Sequence, residues 1–194
     1  MKKLSREDLF SLEEYAAKRK DYRAAVIEHK NNRHVALGDH ATLYFEDRLT
    51  LQYQIQEMLR IEKIFEAEGI KEELDAYNPL IPDGSNLKAT FMIEYSDAVE
   101  RQSVLEKLGG VEDKVWLQVE DFDKVYAIAD EDMDRNRGEK TSAVHFMRFE
   151  LSNEMISKLK SGNDLSMGID YEGFNQCVSP VDTRVLHALV KDFD

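Results

Sequence analysis

Apolar positions follow two rhythms along the chain. Up to residue 77 they mostly recur three and four apart, the spacing that lines one face of a helix. Beyond residue 86 they fall in short β-branched and aromatic runs of strand length. Ser5 followed by Asp8 predicts a helix start and a helix to residue 18, with a second helix over 21–32. Residues 34–38 and 41–46 are short strand-like runs either side of Gly38-Asp39-His40, which predicts a hairpin. Good helix formers then run over 48–68, ended by Gly69, with another turn or two over 70–77.

The turn-rich stretch 78–86 separates this helical region from a strand over 87–95 and a helix over 97–108 that stops at Gly109-Gly110. Strands are predicted over 114–119, 124–128, 143–151 and 165–171. Ser152 is placed to cap a helix, and Ser179-Pro180 opens a last one with Asp182 in its first turn. Strands joined by hairpins or single helices predict an α+β fold, with N-terminal helices and one long central helix packed on a mixed, mostly antiparallel sheet. The whole chain, residues 1–194, is read as a single domain, helical over 1–77 and sheet-rich over 86–194.

The long helix carries the sharpest chemical signal. At roughly 100° per residue from Leu51, Ile55 falls near 40°, Met58 near 340°, Leu59 near 80° and Phe65 near 320°, with Glu62 near 20° inside that apolar stripe. A carboxylate there must be paired, protonated or metal-bound, because burying it bare costs several kcal/mol. Two readings stand for Glu62: a structural partner of Arg48 on the same flank, or a functional group. His145 alternates with Ala143, Met147 and Phe149 on one strand face, His34 opens the first strand, and His40 sits in the hairpin turn. Two such histidines meeting Glu62 or Glu46 would make a 2-His-1-carboxylate iron site. The candidate ligands are therefore Glu62, His145, Glu46 and His34, for iron or another divalent metal. His29, His187 and Cys177 receive no assignment.

Motifs remove several chemistries. There is no phosphate loop, dinucleotide fingerprint, His-Glu-x-x-His, Gly-x-Ser-x-Gly or Cys-x-x-Cys. Asp130-x-Asp132-x-Asp134 opens like a calcium loop, but Arg135 stands where glycine is required and Thr141 where the bidentate Glu belongs. The polar group around Asn78, Asp83, Ser85, Asn86 and Lys88 reads as turn chemistry, with a ligand-binding loop as the second reading.

Charge alters the picture of partners. The 194 residues hold 26 basic and 39 acidic side chains, net −13, which argues against nucleic acid and anionic membranes as partners. That total hides a split. Residues 1–35 carry nine basic and six acidic groups, net +3, so the remainder stands at −16. A basic arm on an acidic body fits intramolecular docking or a partner surface, beside the plainer reading of two solvated helices with ordinary surface lysines. One cysteine and no apolar signal core or 18-residue apolar run predict a soluble cytoplasmic protein.

The runs 45–62 (FEDRLTLQYQIQEMLRIE) and 73–90 (ELDAYNPLIPDGSNLKAT), followed by MIEY at 92–95, VYAIADED at 125–132 and KTSAVHFMRFE at 140–150, resemble a bacterial family classed as a domain of unknown function. The resemblance covers most of the chain. It implies a standalone protein of this length, encoded beside rubrerythrin-like proteins and iron–sulfur oxidoreductase subunits, and hence a link to iron or peroxide-related redox metabolism. It carries over no catalytic residues. The expectation is an accessory or interaction protein with a redox partner of rubrerythrin-like or iron–sulfur type. The alternative is a metal-dependent enzyme or metal-binding protein using Glu62 and His145.

Overall fold

The computed structural model describes residues 2–129 and 141–194, so the acidic run from Asp130 to Asp134 lies outside the described residues. Where two N-terminal helices are predicted there is one, α1 (Leu12–Lys30), because no glycine or proline interrupts the chain between residues 18 and 21. Its cap is Ser11, whose hydroxyl accepts the Glu14 amide at 3.2 Å while the Glu14 carboxylate accepts the Ser11 amide. The Ser5–Asp8 pair caps only a single 3-10 turn ahead of it.

The predicted hairpin forms from β1 (His34–Ala36) and β2 (Ala41–Glu46), turned at Gly38 with φ +74°. Asp47 then caps α2 (Arg48–Glu62). This helix stops six residues before the expected end. Lys63 turns left-handed at φ 57°, and the Ile64 amide bonds the Leu59 carbonyl at 2.9 Å. Gly69 is not the stop signal. It lies inside α3 (Ala67–Tyr77), where any Cβ would meet the Ile64 side chain at 2.8 Å.

The remaining elements are β3 (Asn86–Ile93), α4 (Ala98–Leu105), β4 (Val115–Val119), β5 (Val125–Tyr126), β6 (Ile128–Ala129), β7 (Val144–Glu150), α5 (Asn153–Lys160), β8 (Leu165–Ile169), β9 (Gln176–Val178) and α6 (Thr183–Leu189). Asp182, rather than Ser179, caps α6. The fold is α+β, as its pattern predicts, but the strands form two sheets, ordered β1-β2-β3-β7-β6 and β5-β4-β8-β9, with antiparallel pairing throughout. The chain steps from one sheet to the other across Ala127, splitting one predicted strand into β5 and β6.

The apolar interior forms two clusters. The larger joins both sheets with α5 and α6, and the smaller packs Leu51, Ile55 and Leu59 of α2 against Leu4, Leu9, Ile70, Leu74 and Ile81. Register sets the faces of the larger sheet, since residues directly opposite in an antiparallel pair project to the same side. Val35, Leu43, Phe91 and His145 form one inward row. His34, Tyr44, Thr90 and Phe146 form an outward row, as do Glu46, Lys88 and Arg148.

Candidate functional site

The pleat separates the residues that the sequence offers as ligands. Glu62 ends α2 and is exposed rather than buried in an apolar stripe, because the helix stops there. Phe65, expected on the same stripe, is 72% exposed for the same reason. Arg48, the expected partner of Glu62, instead pairs with Asp8 at 2.6 Å and donates to the Lys2 carbonyl.

His145 does point inward and is buried at 2% exposure. Its Nε2 lies 2.8 Å from Thr141 Oγ1 and 2.9 Å from the Ser142 carbonyl, while the Thr141 hydroxyl donates to Glu112 Oε2 at 2.9 Å. A carbonyl only accepts and that hydroxyl proton is already committed, so Nε2 must carry the hydrogen and cannot also bind a metal. Glu46 and His34 share the opposite face of the sheet, diagonally placed on neighbouring strands. The Glu46 carboxylate accepts the Thr50 hydroxyl at 2.6 Å and the Thr90 hydroxyl at 2.9 Å. His34 is exposed, with Nδ1 3.3 Å from the Lys30 carbonyl and its ring over Tyr44. The sheet therefore stands between His145 and the pair Glu46/His34. Among the described residues, no group of three His, Cys, Asp or Glu side chains is arranged to hold a metal ion.

The polar turn before β3 is spent on its own geometry. Asn78 bonds both the amide and the carbonyl of Leu4, Asp83 accepts from the Ser85 amide and hydroxyl, and Lys88 donates to the Pro79 carbonyl. Buried Asn86 links the Asp83 amide to Glu150.

The densest ionisable group is one to which no sequence motif points. Arg33, 2% exposed, lies where the end of α1, the β2–α2 junction and the 3-10 turn after α6 meet. Its Nη2 reaches Asp192 Oδ2 at 2.5 Å and the Glu46 carbonyl, Nη1 donates to the Ala188 carbonyl, and Nε donates to the Phe45 carbonyl. Nε also stands 3.4 Å from Asp47 Oδ2, which His29 Nε2 approaches at 2.6 Å. The result is a continuous chain, Asp192–Arg33–Asp47–His29, that starts buried and ends at a histidine one-third exposed. One local signal is legible: Asp47 precedes a helix with Thr50 three residues on, the arrangement of a reciprocal cap.

The two carboxylates titrate in opposite directions. Burial works to raise the Asp47 carboxyl, but Arg33, the Thr50 amide and His29 outweigh it and hold the group below its usual value. At Asp192 burial dominates over Arg33 and pushes the carboxyl up to about 6. A carboxyl raised on folding contributes stability that is fully present below its unfolded value of 3.8 and is lost as pH rises through about 6. In urea titrations between pH 4 and 7, stability relative to Asp192→Asn is expected to fall by about 2–3 kcal/mol over that window. A constant difference would count against the assignment.

Residues 3–193 match the family described as protein of unknown function, DUF3501. The chain belongs to that family. It is also similar to the crystal structure of a novel protein of unknown function from Burkholderia pseudomallei K96243, with 52% identity, all of both chains covered and a TM-score of 0.95. No curated protein matches the chain. Among the described residues, no helix is long and apolar enough to cross a membrane.

Proposed function

We propose that this protein is a non-enzymatic accessory protein that docks through one flank of α1 on an acidic face of a redox partner, of the rubrerythrin-like or iron–sulfur type that the family resemblance implies. The observation that carries this reading is the surface of α1. Nineteen residues long, it buries only Tyr15 and Val26, so most of its circumference is free of the rest of the chain. At roughly 100° per residue the exposed charges over residues 20–28 segregate, with Lys20, Arg23 and exposed Ile27 on one flank and Asp21 and Glu28 along the other, while Glu13 and Lys18, nearer the N-terminus, fall on the opposite flanks from these like charges. A basic flank with an apolar contact fits an acidic surface. The −16 carried by the rest of this chain keeps acidic partners from approaching elsewhere. The interior polar groups are engaged in structural contacts, which supports an accessory role: Arg33 meets Asp192 and Asp47, and the Glu46 carboxylate accepts the Thr50 and Thr90 hydroxyls.

The test is a binding titration against purified rubrerythrin-like and iron–sulfur proteins, at low and high salt, with wild type and Lys20→Glu/Arg23→Glu. Both substitutions are on exposed sites, so the fold should be kept. Charge reversal is expected to weaken binding about tenfold or more at low salt and to remove most of its salt dependence. Binding indifferent to both salt and charge reversal, or no binding to any of them, overturns the reading.

A further inference from the structure

An aromatic seam fills the space between α1 and α2. Phe10, Tyr15 and Tyr22 pack with Tyr53 of α2. Tyr15 and Tyr22 meet edge-on with ring centroids 6.2 Å apart, Tyr22 and Tyr53 stand 6.1 Å apart, and Phe10 touches both Tyr15 and Tyr22. Such separations bring ring edges nearly into van der Waals contact.

The three tyrosines differ in what their hydroxyls can do. Tyr53 is half-buried at the α2 end of the seam, and its hydroxyl is not among the buried unpartnered ones. The Tyr22 hydroxyl is buried with no hydrogen-bond partner among the described residues, so it has no base to take its proton. Tyr15, fully buried, donates to Glu57 Oε1 at 2.6 Å. Arg19 grips the same carboxylate through two bonds, Nε to Oε1 at 2.8 Å and Nη2 to Oε2 at 2.9 Å. Hydrogen bonds from Arg19 first, and then from Tyr15 and Arg60, bring the Glu57 carboxyl down to about 2, so it is ionised and ready to accept. Burial, and then Glu57, push the Tyr15 phenol well above its ordinary value, so it holds its proton while reduced.

We propose that Tyr53, Tyr22 and Tyr15 form an electron-transfer path ending at Tyr15, which is oxidised to a neutral tyrosyl radical with Glu57 as proton acceptor. The oxidant is a one-electron acceptor meeting Tyr53, of the class of peroxide-derived oxygen radicals. One electron leaves the Tyr15 phenol through Tyr22 and Tyr53 and reduces the oxidant. The phenolic O–H bond breaks, and its proton crosses the 2.6 Å hydrogen bond to Glu57 Oε1, leaving Tyr15–O• beside a protonated carboxyl. An oxidised phenol is a very strong acid, so even a carboxylate of low basicity takes this proton. Burial of Tyr15 shields the radical from coupling with a second one. This inference does not depend on the docking surface of α1.

The full chain is to be oxidised by photogenerated ruthenium(III) tris-bipyridine, with persulfate as terminal acceptor, and freeze-quenched for electron paramagnetic resonance. Wild type is expected to give a long-lived tyrosyl signal of one lineshape. Tyr15→Phe should lose it, Tyr22→Phe should delay its appearance, and Glu57→Gln, which keeps the side-chain shape but is no base for the proton, should lose its persistence. Near-UV circular dichroism checks that each variant is folded. An unchanged signal in folded Tyr15→Phe overturns the proposal. So does wild-type and Glu57→Gln protein sharing the same lifetime, a comparison that stands even where Tyr15→Phe fails to fold.

Discussion

Replacing Arg33 by methionine is expected to destabilise the fold by about 3–5 kcal/mol at neutral pH, read as a lower urea midpoint with an unchanged slope. Methionine keeps much of the volume but removes every donor. Asp192 loses its ion pair, and the Phe45, Glu46 and Ala188 carbonyls lose their side-chain donor at the junction of three chain segments. The pH dependence separates this mechanism from simple repacking. Asp192 already titrates near 6, so in the variant it can take up a proton instead of remaining a bare buried charge. The deficit should therefore shrink between pH 7 and pH 5. A loss below 1 kcal/mol, or one that grows as the pH falls, would show that the guanidinium does not hold this junction together.

Phe91→Ala is the second large effect, expected at about 3–5 kcal/mol by the same measurement. Phe91 is fully buried at the centre of β3, opposite Leu43 on one side and His145 on the other. Truncation leaves a cavity that two flanking strands, pinned by their ladders, cannot collapse to fill. The His145 ring lies against Phe91, with centroids 6.4 Å apart, so the cavity opens beside the Thr141–His145–Glu112 group. Altered His145 ring resonances are expected to accompany the loss of stability. A full-sized loss with those resonances unmoved would mean that the polar group is held by its loop rather than by the sheet.

Local readings succeed where the cause is local. The strands at 86–93, 144–150 and 165–169 lie within two residues of the periodicity that announces them. Ser152 and Asp97 cap their helices through bonds to amides two or three residues away. The candidate site is less legible. His145 faces inward as its pattern predicts, since alternation shows which strand residues share a face. Its partner Glu112 lies in a turn before another sheet, where no spacing rule reaches. Glu62 departs from its expected place for one reason. A helix carried to residue 68 places its carboxylate on a buried stripe, whereas the left-handed Lys63 ends α2 at Glu62 and the chain turns away with Ile64 close against Gly69.

The α+β class, the Ser152 cap, the hairpin and the excess of basic charge over residues 1–35 are all written in the amino-acid pattern, because each is read from side chains close together in the chain. Three features come from tertiary closure alone: the division into two sheets, the placing of His145 and the pair Glu46/His34 on opposite faces of one of them, and the meeting of Arg33 with Asp192 across 159 residues. Those outcomes rest on strand order and register, which close over long stretches of chain. Excluding water makes a buried ion pair costly, and this one is offset by the carbonyl acceptors that the closed fold brings to the guanidinium. The three-tyrosine seam has the same origin, since two helices had to pack before Tyr53 could stand beside Tyr22 and Tyr15 could reach Glu57.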